Sequence, residues 1–382
     1  MRYRTLGKTG LQVSEVGFGG EWLERHPEEE SVELMRYAAD QGINIIDCWM
    51  PDPKSRDIIG KAMEGCREKW IVQGHLGSTW QNGQYVRTRD MRHVVPAFED
   101  LLTRLGTDYI DLGMIHYVDA QEDWDRLMSG KSDYLDYVLK LHRDGVIRHI
   151  GLSTHNPRIA KLAAQTDFIE MILFSINPAF DMHPATEELD NMFEEYDAAL
   201  SGIDEERAAL YRLCEERNVG ITVMKGFFGG RLFDPARSPF GVAFTPIQCI
   251  HYALTRPGVC SILCGYDTKE QVDAAVAYET ADAEAKDYAS VLASAPLHSY
   301  SGQCTYCGHC KPCPMEIDIA MVNKFYDLAV QQPSVPESVR AHYEALPVTA
   351  SACIGCQSCE ARCPFSVPVA AHMEKTAALF GC

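Results

Sequence analysis

No apolar stretch of this 382-residue chain reaches the roughly twenty residues that a membrane-spanning helix needs, so a transmembrane span is not expected. Positive charge is scarce. Lys and Arg number 35 against 54 Asp and Glu, a formal net charge of −19. Without clustered cations there is little to meet phosphates, which argues against nucleic acid or an anionic membrane as partner. Residues 1–10, MRYRTLGKTG, lack the apolar core of a secretory leader, and the expected compartment is a reduced cytoplasm. No Gly-x-Gly-x-x-Gly follows the first apolar run, which counts against a doubly wound dinucleotide-binding sheet.

Cysteine, by contrast, is plentiful. Seven of the fifteen (Cys48, Cys66, Cys214, Cys249, Cys260, Cys264 and Cys382) are scattered and read as small core hydrophobes. The other eight form two runs: Cys304, Cys307, Cys310, Cys313-Pro314, and Cys353, Cys356, Cys359, Cys363-Pro364. The second run has the spacing by which bacterial ferredoxin modules hold a [4Fe–4S] cluster, three thiolates from one loop and a fourth directed to the other cluster. The first is one residue tighter before its last cysteine, with Pro312 and Pro314 on either side of Cys313. Zinc would be served by paired Cys-x-x-Cys units and would leave the middle thiolates idle, and disulfides rarely join cysteines three apart; both remain competing readings. In the crosswise pattern one cluster takes Cys304, Cys307, Cys310 and Cys363, and the other Cys353, Cys356, Cys359 and Cys313. Residues 296–382 are then a ferredoxin-like, largely α-helical two-cluster domain. The forty or so residues between the runs are a helical insertion, with Ile317, Ile319, Ile354, Val367 and Val369 shielding the clusters.

Residues 1–295 alternate apolar runs with amphipathic stretches. The runs are 16–20, 43–49, 70–76, 109–116, 147–154, 169–177, 220–226 and 260–265. Between several of them lie stretches with apolar residues at three and four spacing and Gly or Asn at the stop. Eight buried strands, most followed by a helix, predict a (β/α)8 TIM barrel, with residues 3–14 as a hairpin closing its bottom. Site residues in such barrels come from the C-terminal strand ends. Those ends carry Asp47, His75, His116, Ser153 with His155, Asn177 and Lys225, which should converge on one mouth. The segments 77–90 and 178–205 are expected as βα loops walling it; Trp80 and Tyr85 in the first are candidates to stack on a flat substrate.

Arg4-Thr5-Leu6-Gly7-Lys8-Thr9-Gly10-Leu11, Gly42 to Asp47, Asp108 to Leu112, Ile115-His116 and Arg148 to Ser153 together resemble the aldo-keto reductase superfamily. With its tail, the chain is similar to that superfamily's iron–sulfur branch. The resemblance implies carbonyl reduction with NADPH by an Asp, Tyr, Lys and His tetrad, Tyr donating the proton. Asp47 and His116 match two of the four. The Tyr falls on Asp52 and the Lys on His75, so the usual proton donor and its activator are absent. His75 and His116, with Asp47 orienting or charging one of them, are the expected acid–base residues; Lys225 and Asp52 are secondary, and Tyr117, Tyr85 and His155 are, with Lys225, further donors within reach of the mouth.

The family's pyrophosphate loop corresponds to Gly226, Phe227, Phe228, Gly229, Gly230 and Arg231. With Ser153, Asn177 and Gly265 these supply the candidate cofactor-binding residues. The loop after Gly265 carries Asp267, Lys269, Glu270 and Asp273, an acidic setting for a 2′-phosphate. NADH, FMN or no nucleotide stay open beside NADPH. The expected function is an oxidoreductase reducing or oxidising a small organic substrate at the mouth, with electrons relayed through the clusters from a donor such as a ferredoxin or flavodoxin. The alternatives are an NAD(P)H-dependent carbonyl reductase with structural clusters and a non-catalytic electron-transfer or docking subunit.

Overall fold

A computed structural model describes every residue except 22, 195, 197–199, 299 and 331–333. Twelve strands are described: β1 (Tyr3–Thr5), β2 (Gln12–Ser14), β3 (Val16–Gly19), β4 (Ile45–Cys48), β5 (Ile71–Leu76), β6 (Ser78–Gln81), β7 (Gln84–Arg87), β8 (Ile110–Ile115), β9 (Ile147–Thr154), β10 (Met171–Ser175), β11 (Gly220–Met224) and β12 (Val259–Gly265). Eight close into a barrel in the order β10-β11-β12-β3-β4-β5-β8-β9, every neighbour parallel. These are the eight apolar runs of the sequence, six of them trimmed at their ends, β9 unchanged and β12 begun one residue earlier, at Val259. Parallel barrel strands are covered on both faces, so they read as continuous apolar runs rather than alternating ones.

Nine of the helices are begun by side chains that accept from orphan N–H groups: Asp52, Asp90, Ser132, Asn156, Asp204, Thr245, Thr268, Asp287 and Asp318 each cap one. Helices Pro53–Met63 and Met91–Leu105 cross where Gly60 has no side chain; a Cβ there would stand 2.0 Å from the Arg104 carbonyl oxygen. The β1–β2 hairpin closes the barrel bottom. Lys8 N donates to Asn218 O (2.7 Å), and Gly7, at φ +51°, sits against the backbone of Asn218 and Gly220. Leu6 and Val13 of the hairpin join Ile45, Leu112, Met114, Met171, Leu173 and Leu263 in an apolar plug inside the lower barrel. Above that plug the lumen turns polar, with buried Gln73, Thr222, Ser153 and Ser175.

The segment 77–90 is not an irregular loop. It contains the β6–β7 hairpin, turned by Asn82 and Gly83 at φ +51° and +76°. Within 178–205, Phe193 and Tyr196 pack on Phe228, and Phe193 also on Phe180; residues 195 and 197–199 of this acidic stretch lie outside the described residues.

The tail contributes helices Ile319–Ala329, Glu337–Glu344 and Val369–Phe380. Its core is continuous with that of the barrel helices, and Lys324 pairs with Glu215 at 2.6 Å. Among the described residues no helix is long and apolar enough to cross a membrane.

Candidate active site

The barrel mouth gathers Asp47, His75 and His116 into one hydrogen-bonded chain. Asp47 ends β4 in buried backbone, and its Oδ1 lies 2.8 Å from His75 Nε2 and 3.2 Å from Gln73 Nε2. Gln73 is held from below by the Thr222 hydroxyl, which donates to its Oε1 at 2.8 Å. His75 Nδ1 faces His116 Nδ1 at 2.8 Å, and His116 Nε2 lies 2.7 Å from the Tyr85 hydroxyl. Trp49 stacks on His116 at 6.2 Å between centroids and meets Tyr85 edge-on at 5.4 Å. Tyr85 arrives on β7, so the hairpin that sequence reading took for a plain loop carries a phenol to the histidines.

The proton positions follow from the partners. With Asp47 ionised and both rings neutral, Asp47 accepts from His75 Nε2–H, His75 Nδ1 accepts from His116 Nδ1–H, and His116 Nε2 accepts from Tyr85 O–H. Burial holds His116 well below the usual histidine range, and the nearby charges of Arg89 and Arg87 push the same way. Burial also pushes the Tyr85 phenol up, keeping it protonated. Arg89 fixes the turn after β8, donating to His116 O (2.6 Å) and Asp123 (3.0 Å).

A second pair lies alongside. His155 Nδ1 stands 2.9 Å from Asp119 Oδ2, and Asp119 also accepts from the Thr154 hydroxyl and His155 N. Burial alone would raise Asp119; His155 and these hydrogen bonds hold it below its usual range. The Tyr117 ring packs on both His155 and His116. Its phenol is pushed up to about 12 by burial and by Asp119.

Glu21, directly after β3, completes the rim and was missed in the sequence, although its place beyond a strand end was the available signal. Burial raises its carboxyl above the usual range, with Lys225 opposing and Asp47 adding. Lys225, at φ +58° beyond β11, also acts electrostatically on His155, so its ammonium belongs to the mouth.

Other sequence candidates are engaged elsewhere. Asp52 caps the helix Pro53–Met63, accepting from Ser55 N at 2.9 Å. Ser153 Oγ accepts from Tyr117 N. Asn177 is spent on backbone, donating to Lys225 O and accepting from Phe180 N. Gly226 lies under Ile262, leaving no room for a Cβ. Gly229 and Gly230, at φ +61° and +78°, turn the loop in open space, and Gly265 is likewise unobstructed. Arg231 donates to Phe193 O at 2.7 Å and packs on Phe193 and Phe228. Beyond β12, Lys269 pairs with Glu33 (2.5 Å), Asp267 with His26 (3.1 Å), and Asp273 accepts from the Tyr37 hydroxyl (2.6 Å).

All fifteen cysteines are unbridged. The eight in the tail line two pockets. One is lined by Cys313, Cys353, Cys356 and Cys359 with Ile317, Ile319 and Ile354. The other is lined by Cys304, Cys307, Cys310 and Cys363 with Val367 and Val369. Each run thus sends its proline-linked cysteine to the other run's pocket. Of the five residues expected to shield these sites, four are 2 % exposed but Ile354 is 65 % exposed; it sits in the loop between Cys353 and Cys356 and faces outward. Among the described residues no three Cys, His, Asp or Glu side chains are grouped as ligands of one metal ion. A cubane does not require such a grouping, because each thiolate binds a different iron.

The sequence model of the aldo/keto reductase family matches residues 15–239. The aldo-keto reductase YhdN of Bacillus subtilis (strain 168) is 32% identical over 162 residues, 40% of this chain and 47% of its own length. The uncharacterized oxidoreductase YqkF of the same organism is 28% identical over 188 residues, 48% and 58% of the two chains. The chain thus spans about half the length of these curated relatives. Among solved structures, the holo form of an aldo-keto reductase from Bacillus halodurans superposes with a TM-score of 0.55 at 22% identity, over 75% of this chain and 94% of that one; a putative aldo-keto reductase from Pseudomonas aeruginosa gives 0.54 at 23% over 72% and 94%. These two share the barrel fold. With the matched segment covering more than half of its residues, the chain belongs to the aldo/keto reductase family.

Proposed function

We propose that the protein is an oxidoreductase that interconverts a carbonyl and an alcohol on a small organic molecule at the barrel mouth, with Tyr85 as the proton-donating group and electrons arriving from the cysteine-rich tail. The observation that carries this reading is the unbroken chain Asp47–His75–His116–Tyr85. It replaces the family's Asp, Tyr, Lys and His set with other residue types around the same Asp47 and His116.

The chain moves a proton without moving a side chain. In the oxidising direction the substrate hydroxyl gives its proton to Tyr85 Oη, which passes its own to His116 Nε2. His116 Nδ1–H then transfers to His75 Nδ1. The positive charge comes to rest on His75 beside the Asp47 carboxylate, with Gln73 and Thr222 fixing that carboxylate from below. In the reducing direction the same bonds run outward and the substrate oxygen is protonated; two electrons from the tail and a second proton, reaching carbon from water at the open mouth, would complete the reduction. A low-dielectric, fully bonded relay of this kind strengthens each link, and the depressed basicity of His116 suits a carrier that holds a proton only in passing.

The tail residues fit two [4Fe–4S] clusters: four thiols line each pocket in the crosswise arrangement of two-cluster modules, with apolar Ile317, Ile319, Val367 and Val369 beside them. Clusters so held supply one-electron transfer, and a ferredoxin or flavodoxin is the class of protein that would feed them. A 2′-phosphorylated nicotinamide fits poorly, because Lys269 is already paired with Glu33 and Asp267 and Asp273 flank the same loop. No step is assigned to it.

The test is turnover of an aldehyde and ketone panel by anaerobically purified protein, with reduced viologen or NADPH as donor. Viologen-driven reduction that His75→Ala or His116→Ala abolishes is expected; unchanged turnover in both variants would remove the mouth from the chemistry.

A further inference from the structure

The two cysteine pockets differ in their electrostatic surroundings. Arg256, just beyond helix Pro246–Leu254 of the barrel, is 2 % exposed. Its Nη2 donates to the Thr305 carbonyl oxygen at 2.5 Å, to the Tyr288 hydroxyl at 3.1 Å and to Thr255 Oγ1 at 3.0 Å. The guanidinium carbon lies 4.4 Å from the Tyr252 ring centroid. Its Nε and Nη1 have no acceptor among the described residues. A buried guanidinium with two unused donors is costly unless an anion stands beside it.

Thr305 belongs to the loop between Cys304 and Cys307 and lines the pocket of Cys304, Cys307, Cys310 and Cys363, so the bond to its carbonyl sets the Arg256 guanidinium directly behind that loop. The same pocket receives two more donors: Asn323 Nδ2 to Cys304 Sγ and Val367 N to Cys363 Sγ, both at 3.5 Å. Two of its four sulfurs therefore meet a donor, and the buried guanidinium stands behind the loop that carries Cys304 and Cys307. At the other pocket a backbone amide, Gly355 N, donates to Cys353 Sγ at 3.5 Å, and Cys356 is exposed to solvent. Arg362 lines that pocket, but it is exposed, where water screens its charge, and its Nη2 is spent on the carbonyl oxygens of Cys310 and Pro312.

We propose that Arg256 is the counter-charge of the cluster held by Cys304, Cys307, Cys310 and Cys363, and that it makes this inner site the more easily reduced of the two. The inference rests on the cluster reading above. A cubane with four thiolates is net negative and gains one further negative charge when it accepts an electron. A fixed buried cation therefore stabilises the reduced form more than the oxidised one, and hydrogen bonds to the sulfurs act in the same sense. Electrons entering at the exposed Cys356 end run inward, toward the side where Arg256 and Tyr288 join tail to barrel.

The experiment is an anaerobic redox titration followed by electron paramagnetic resonance, with iron and sulfide measured first. About eight irons per chain in the unmodified protein uphold the cluster reading on which the inference rests; fewer would overturn that reading and leave Arg256 with nothing to tune. In Arg256→Gln, one midpoint should fall so that the reduced-to-oxidised ratio at fixed potential drops at least tenfold, about 59 mV for one electron. The other midpoint should stay, and Arg256→Lys should keep most of the original value. Equal shifts at both sites, no shift, or iron loss in both Arg256 variants would overturn the proposal, the last by making Arg256 a clamp of the loop. If Arg256→Gln does not fold, Asn323→Leu takes its place. It should lower the same midpoint by a smaller amount, and an unchanged midpoint there would refute the tuning.

Discussion

Replacing Tyr85 by Phe separates the chemical from the structural role of the relay. The substitution keeps the ring that meets Trp49 edge-on at 5.4 Å and His116 at 5.8 Å, and deletes only the hydroxyl 2.7 Å from His116 Nε2. A lost hydrogen bond that leaves a buried nitrogen unpaired costs about 1–3 kcal/mol of stability. His116 is 4 % exposed, so a value within that range is expected in urea unfolding. Loss of a positioned proton donor should lower kcat by about 10²–10⁴, roughly 3–5 kcal/mol in the barrier. KM should change little, because the ring surface is retained. The assay is the initial rate of viologen-driven carbonyl reduction, wild type against Tyr85→Phe, across pH 6–10. Burial pushes the phenol above its ordinary value, so the wild type should keep its donor protonated through the upper end of that range. A Tyr85→Phe rate within about twofold of wild type would refute the relay, since it falls far below any general-acid contribution.

Three further outcomes follow from the same geometry. Cys363→Ser should remove the same cluster signal as Cys304→Ser, and Cys313→Ser the same as Cys353→Ser, by electron paramagnetic resonance; signals lost run by run would contradict the crosswise pockets. Gly60→Ala should destabilise the chain by about 1–3 kcal/mol or more in urea, because its Cβ would meet the Arg104 carbonyl at 2.0 Å; a neutral or stabilising result would contradict that helix crossing. His251 is pushed down to about 4 by burial, with Lys286 and Arg256 adding. Its native value lies below the unfolded one, so between pH 6.5 and 4 the unfolded chain binds the proton first. Stability is therefore retained above pH 6.5 and lost on acidification, by about 1.5 kcal/mol between pH 6.5 and 5 for this group. His251→Gln should lessen the wild-type loss by that amount, and an identical pH slope in the two proteins would count against it.

The barrel was legible because buried parallel strands announce themselves as apolar runs; β9 spans 147–154 as read. The β6–β7 hairpin was not read, although Asn82-Gly83 is the dipeptide that a tight hairpin favours, and Tyr85 therefore read as a stacking residue and a further donor near the mouth rather than as the end of a relay. Asp47, His75 and His116 were found from their place at strand ends. That the two Nδ1 atoms would face each other was not, because ring orientation depends on Asp47 and Trp49 at the end of β4 and on Tyr85 of β7. Asn177 and Asp52 looked alike in the sequence, polar groups past a strand, yet their atoms are consumed by backbone. Arg256 lies 48 residues before Cys304 at the end of a barrel helix, and only packing brings it to the tail.

Electron delivery from the tail to the mouth is tested most directly by one measurement. Anaerobic protein is reduced by a one-electron donor, freed of excess donor and mixed, without any nicotinamide, with a carbonyl substrate. Return of the bleached visible absorbance together with stoichiometric alcohol is the predicted result. Absorbance that stays bleached while NADPH alone yields product would contradict it.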